Sequence, residues 1–272
     1  MLKDRTLRLL KKHNLELDPS QDEQQLIDEK TIDLFISHTG VDKDSTVLEI
    51  GPGVGNITAE IVNKAKMVYC IEKNPKFIPA LRGHLKYNFN VEVIEGDALQ
   101  MEYPEHDILI SNLPYAICEA FFQRSLHEKF RQATLIVPTS FAERLTASEG
   151  QQNYTKLSKI ASIFYQAERH EDIPPEAYLP QPRTATCIIS LKPKEPGDQA
   201  SNTMKEILLQ SDKLTKNALR EAIISAGMKQ TKRVAYAQIG AMKLDEAILT
   251  RPVPRLSLEE LQEIEDTLRK TQ

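Results

Sequence analysis

Between about residue 45 and residue 138 the chain alternates short runs of apolar, β-rich residues with stretches whose apolar positions recur every three to four residues. STVLEI (45–50), MVYCIE (67–72), VEVIE (91–95), DILIS (107–111) and ATLIVP (133–138) read as strands. A stretch from Asn56, then FIPALRGHL (77–85) and AICEAFFQRSL (116–126), read as helices between them. Strands that are apolar almost throughout are buried on both faces, which predicts a mostly parallel sheet with helices on each side. A proline-rich segment, IPPEAYLPQPR (173–183), precedes one more strand, TATCIISLKP (184–193). KPKEPGDQASN (192–202) has the proline, glycine and polar content of a linker. Beyond it, TMKEILLQ (203–210), KLTKNALREAIISAG (213–227) and LSLEELQEIEDTLRK (256–270) show helical spacing, the last with Ser257 as its cap. The pattern predicts a doubly wound α/β domain over residues 1–195 and a small all-helical domain over 196–272, with no internal repeat.

Composition adds constraints. A chain of 272 residues, 40% hydrophobic and 27% charged, has the balance of a soluble globular protein. No apolar run is long enough to span a bilayer, and the opening MLKDRTLRLLKKHN is charged throughout, so neither a signal peptide nor an anchor is expected and the cytoplasm is the expected location. Cys70, Cys118 and Cys187 lie far apart in apolar segments without metal-ligand spacing, which predicts buried thiols and no metal. A net charge of −4 gives no global attraction to nucleic acid, so any basic surface is local.

Candidate chemistry clusters at the carboxyl ends of the predicted strands. VLEIGPGVGNIT puts Gly51, Gly53 and Gly55 between the first strand and its helix, where missing side chains let the backbone approach a ligand closely. The spacing is GxGxG and not the GxGxxG of a pyrophosphate cradle, which favours a nucleoside-like ligand without phosphates. Glu72 ends the second strand, where an acid can accept from both ribose hydroxyls, and Lys73 follows it. Asp97, in EGDAL, could accept from an adenine amino group, with Ala98 offering backbone contacts. Each feature alone also fits a plain turn, a cap or a solvated charge; three at adjacent strand ends point to a nucleoside cofactor.

Together, EIGPGVGNIT, Glu72, GDA and NLPY (112–115) resemble a class I S-adenosylmethionine methyltransferase, and NLPY is similar in particular to the ribosomal RNA adenine dimethyltransferase family. FAERL, NYTKLS, IPPEAYLPQPR and KLTKNALREA extend the resemblance almost from end to end. It implies a seven-stranded sheet with its last strand antiparallel, a helical appendage, S-adenosylmethionine as cofactor and adenosines of small-subunit ribosomal RNA, or of the pre-ribosomal small subunit, as acceptors. A monomer is expected. The implied cofactor-binding residues are Leu26, Gly51, Gly53, Gly55, Glu72, Lys73, Asp97, Ala98 and Asn112. A ribosome-assembly factor with weak or no activity, and a methyltransferase with another acceptor, remain alternative readings.

The residue types in NLPY suit this chemistry. An exocyclic adenine amine is a poor nucleophile because its lone pair is delocalised into the ring. If the Asn112 side-chain oxygen and the Leu113 carbonyl accept its two hydrogens, the nitrogen can pyramidalise toward a methyl donor. Pro114 would fix that carbonyl, and Tyr115 would stack on a base swung out of its helix. The plainer alternative makes Asn112 a helix cap with Pro114 in the first turn. The resemblance implies that Tyr178 closes the base pocket from the other side, with an ordinary core aromatic as the alternative. Lys205, Lys213, Lys216, Arg220, Lys229, Lys232 and Arg233 form the basic stretch an RNA-docking domain needs. The chain departs from the family pattern at DEQQLID, where Asp22 and Glu23 stand in place of glycine and glutamine, and at VPTS (137–140).

Overall fold

A computed structural model describes residues 1–195, 197–210, 212–226 and 231–271. Nine strands form in chain order: β1 Gln25–Leu26, β2 Thr46–Ile50, β3 Met67–Glu72, β4 Val91–Glu95, β5 Ile108–Asn112, β6 Gln132–Pro138, β7 Tyr165–Ile173, β8 Tyr178–Leu179 and β9 Thr186–Pro193. Seven of them make one sheet in the order β4-β3-β2-β5-β6-β9-β7. β4 through β6 run parallel in that order, and β9 pairs antiparallel with β6 in the register Leu135↔Ile189. The mostly parallel sheet of the sequence reading is therefore present, with its antiparallel strand inserted before the edge.

The central strands are buried on both faces, as continuous apolar runs require. Val47, Leu48, Ile108, Leu109, Ile110, Ala133, Ile136 and Ile188 are all fully enclosed. One face packs Val47, Cys70, Ile108 and Ile188 into a core with Ile32 and Phe35 from the helix Glu29–Ser37. That helix is capped by Asp28, whose carboxylate accepts from Thr31 N at 2.9 Å. All three cysteines are buried and none forms a disulfide.

The chain divides into two compact units, Met1–Glu143 with Ala167–Pro193, and Arg144–Gln166 with Lys194–Gln272. The sequence pattern places residues 144–166 within the domain 1–195; in the structure they belong to the compact unit that holds the C-terminal helices. The reason is physical: Lys159, nearly buried on the helix Lys156–Phe164, pairs with Glu265 of the C-terminal helix, and Lys194 N donates to Phe164 O at 2.8 Å. The C-terminal helix, Leu258–Lys270, starts in a capping box between Ser257 and Glu260. Among the described residues no helix is long and apolar enough to cross a membrane, and no group of three or more His, Cys, Asp or Glu is arranged to hold a metal.

Candidate active site

A cavity of about 420 Å³ opens at the carboxyl ends of β2, β3 and β5, within the size range of small-ligand sites. Its glycine wall is the turn after β2, where Gly51, Gly53 and Gly55 all have positive φ. Gly53 is fixed in identity twice over. Its φ is +58°, and a Cβ there would come within 2.9 Å of the Gln25 Cδ. Gln25 Oε1 in turn accepts from Val54 N at 3.0 Å, so β1 is strapped across the glycine turn. Asn56 secures the strap from below by donating to Leu26 O at 2.8 Å.

The opposite wall is Glu72, only 6% exposed at the end of β3. Its Oε2 accepts from Gly53 N at 3.0 Å and its Oε1 from Asn74 N at 2.8 Å. Burial pushes its carboxyl up, and these backbone donors oppose that rise. Each carboxylate oxygen has a second lone pair, so both amides can stay bonded while two ligand hydroxyls donate. Deeper in the cavity lies Glu49 on β2, also buried. Loss of hydration pushes its carboxyl up to about 7, with Thr58 opposing and the neighbouring Glu72 adding to the rise. Neither Glu49 Oε2 nor Thr58 Oγ1 finds a partner at full hydrogen-bond distance among the described residues. An orphaned acceptor, a glycine cradle and a buried carboxylate at a strand end together fit a polar nucleoside such as S-adenosylmethionine. Ile57, Phe77 and Ile117 supply apolar lining.

NLPY stands at the rim. Asn112 is the last residue of β5, and its Nδ2 donates to Gln24 O at 3.3 Å. This bond assigns the carboxamide orientation and leaves Oδ1 as the available acceptor. Asn112 is not a helix cap: the short 3-10 turn Tyr115–Ile117 has Pro114 at its N-cap, and the helix Cys118–Ser125 has Ile117 at its own. Leu113 is buried, with its N–H on Ile136 O at 3.0 Å. Asp22, in the left-handed conformation at φ 56°, accepts from Ala116 N at 3.1 Å and so ties the strap to the NLPY turn. The Tyr115 phenol is half-buried and pushed up to about 12, mainly by loss of hydration.

The cavity thus gathers Leu26, Gly51, Gly53, Glu72, Lys73 and Asn112 from the predicted set. It does not gather the others. Gly55 turns toward Leu81 and His84. Ala98 is buried, and Asp97 beside it is held below the usual carboxylate range by Leu99 N–H and by Lys73, whose Nζ is 3.0 Å away. Tyr178 departs from the role expected of it. Its ring is 2% exposed in the core, it is paired with Leu26 between β8 and β1, and its hydroxyl bonds Thr186 Oγ1 at 2.8 Å, so it does not present a stacking face. Gln25, Glu49 and Asn74 were missed. Glu49 was visible in LEIGPG as an acid inside an apolar strand, and Asn74 lies two residues past Glu72, to which its amide donates, but Gln25 is brought in by a contact 29 residues away with no local signal.

In the helical unit, Lys213 and Arg220 both pair with Glu221, and Lys205 donates to Lys194 O. Lys232 and Arg233 are exposed on the helix Lys232–Met242 beside exposed Val234 and Tyr236. Lys229 lies outside the described residues.

The defining pattern of one family, described as "Ribosomal RNA adenine dimethylase", matches residues 17–246. The chain is 33% identical over 273 residues to the "Probable ribosomal RNA small subunit methyltransferase A" of Thermococcus kodakarensis, covering 99% of this chain and 96% of that protein. It is 31% identical over 270 residues to the protein of the same name from Pyrococcus abyssi, covering 99% and 98%. Among solved structures, a dimethyladenosine transferase from Plasmodium falciparum superposes with a TM-score of 0.61 at 21% identity, over 90% of this chain and 97% of that one. The 23S rRNA methyltransferase ErmE gives 0.62 at 22% identity, over 90% and 99%. At these identities the two structures speak to the fold alone.

Proposed function

Since the chain belongs to the ribosomal RNA adenine dimethylase family, we propose that it is an S-adenosylmethionine-dependent enzyme that dimethylates the exocyclic amine of adenosines in small-subunit ribosomal RNA. The observation that carries the reading is Asn112 at the cavity rim, its Nδ2 held by the Gln24 carbonyl so that Oδ1 is left to accept.

When bound, the cofactor supplies a sulfonium methyl: the adenine nitrogen lone pair forms the N–C bond, the C–S electrons return to sulfur, and the ammonium proton goes to water. The protein's work is holding and aiming. Glu72 accepts from the ribose hydroxyls while retaining the amides of Gly53 and Asn74. The strap residues Gln25 and Leu26 cover the glycine turn, and Lys73 of the cavity lining is held in place by its ion pair with Asp97. Asn112 Oδ1 and the Leu113 carbonyl would accept the two amine hydrogens, which lets the nitrogen pyramidalise and aim its lone pair at the methyl carbon. Pro114 restricts the turn, and Tyr115 offers a ring for the flipped base. Tyr178 supports the strap from the core through its pairing with Leu26. No side chain of unusual basicity is required, because an alkylated ammonium is acidic enough to lose its proton to solvent.

Incubation with methyl-labelled S-adenosylmethionine and immature small subunits tests this. Label is expected in the small-subunit RNA with the wild-type protein and not with Asn112→Ala. Label in protein, or none in RNA, would refute the proposal.

A further inference from the structure

Two of the most exposed aromatic rings in the molecule sit two residues apart. In the loop HLKYNFN (84–90), Tyr87 is 77% exposed and Phe89 is 96% exposed. Displaying an aromatic ring to water forgoes most of the stabilisation its burial would give, so a side-by-side pair is a feature that folding does not explain. The loop is nonetheless ordered at both ends. Asn88 N donates to Leu85 O at 2.8 Å, and Asn90 Nδ2 donates to Val62 O at 2.9 Å and Ala65 O at 3.1 Å.

Those two Asn90 bonds lay the loop against the turn that carries Lys64 and Lys66, both exposed. Lys86 Nζ lies 4.4 Å from the Tyr87 ring centroid. Between Arg82 and Glu92 the charged residues are Arg82, Lys86 and Glu92 itself, so the only acid there is the last residue. Rings interleaved with lysines and asparagines are the composition of a surface that stacks unpaired bases and tracks their phosphates. The loop precedes β4, so it lies at the end of the parallel strands opposite the cavity.

We propose that Tyr87 and Phe89, flanked by Lys64, Lys66 and Lys86, form a second RNA-contact surface that stacks unpaired bases of the substrate RNA away from the reacting adenosine. The proposal rests on the reading of the chain as an RNA-modifying enzyme. The lysines favour RNA over a protein partner, since an apolar protein contact has no use for three cations around two rings.

The test is fluorescence-anisotropy titration of a labelled small-subunit ribosomal RNA fragment with the full chain at several salt concentrations. Loss of one stacked base weakens binding by about 5- to 150-fold, so the double variant Tyr87→Ala/Phe89→Ala is expected to bind at least about fivefold more weakly with its salt dependence retained. The triple variant Lys64→Ala/Lys66→Ala/Lys86→Ala is expected to lower the slope of log affinity against log salt by about 2. Both variants should keep wild-type cofactor affinity and thermal stability. Phe89→Trp introduces a tryptophan into a chain that has none, and its emission should be quenched on RNA addition. Wild-type RNA affinity in the double variant, or unquenched emission while RNA is bound, overturns the surface and leaves the enzyme reading standing. A wild-type chain that fails to bind RNA overturns both.

Discussion

Replacing Glu72 with alanine separates its two tasks, because the structure shows what each carboxylate oxygen already holds. Oε1 and Oε2 accept from Asn74 N and Gly53 N in a nearly buried setting. Removing them leaves two amides unsatisfied, at about 1–3 kcal/mol each. Part of that returns, since burial itself raises the carboxyl's pKa and the charge is costly to enclose. The net loss of stability is expected to be about 1–3 kcal/mol. Cofactor binding loses more: two hydroxyls donating to a carboxylate contribute about 1.5–3 kcal/mol each, so affinity should fall by at least about 100-fold. Glu72→Gln keeps one acceptor and turns an N–H against the second amide, and should fall between. The sign of the pH effect follows from the raised pKa. The wild-type carboxylate protonates at a higher pH than a free glutamate, so affinity should weaken on acidification from above the ordinary range, and the Gln variant should lack that dependence. Urea unfolding measures the first quantity and calorimetric titration at pH 8 the second. Affinity within twofold of wild type in folded Glu72→Ala protein would refute the assignment.

Three further expectations follow from the site. Asn112→Ala should lower single-turnover methyl transfer by about 100-fold or more, by analogy with the loss of one preorganised oxyanion donor, and lower cofactor affinity far less than that; normal turnover would sink its aligning role. Glu49→Gln should be more stable than wild type at pH 8. The folded carboxyl titrates near 7 and the unfolded one near 4.5, so wild-type stability falls as pH rises between those values, by a few kcal/mol at most at about 1.4 kcal/mol per unit. Parallel melting profiles from pH 4 to 8 would contradict this. Tyr178→Phe should cost about 1–2 kcal/mol by stranding the Thr186 hydroxyl, with turnover per folded molecule retained; a lower turnover in an equally stable protein would return the phenol to the acceptor pocket.

Much of the sheet was legible because its strands are apolar without interruption. VEVIE (91–95) is β4 to the residue, and ATLIVP (133–138) is β6 short of Gln132. β7 was not legible: YQAERHEDI is mostly polar and exposed, and it becomes a strand only at the sheet edge, where β9 offers its backbone. The helix expected from Asn56 shrinks to Thr58–Ile61, because the glycine turn consumes the preceding residues. At the site, glycines and strand-end acids announce themselves locally. The strap does not: Gln24, Gln25 and Asp22 acquire their roles from partners 29 to 94 residues away, which no periodicity encodes.

The aligned adenine amine is tested most directly by the product itself. After reaction of the wild-type protein with S-adenosylmethionine and immature small subunits, the RNA is digested to nucleosides and analysed by mass spectrometry. The account predicts adenosine carrying two methyls on its exocyclic nitrogen, formed by the wild type and lost in Asn112→Ala. Unmodified adenosine, or methylation confined to a ring nitrogen, a ribose or another base, would contradict it.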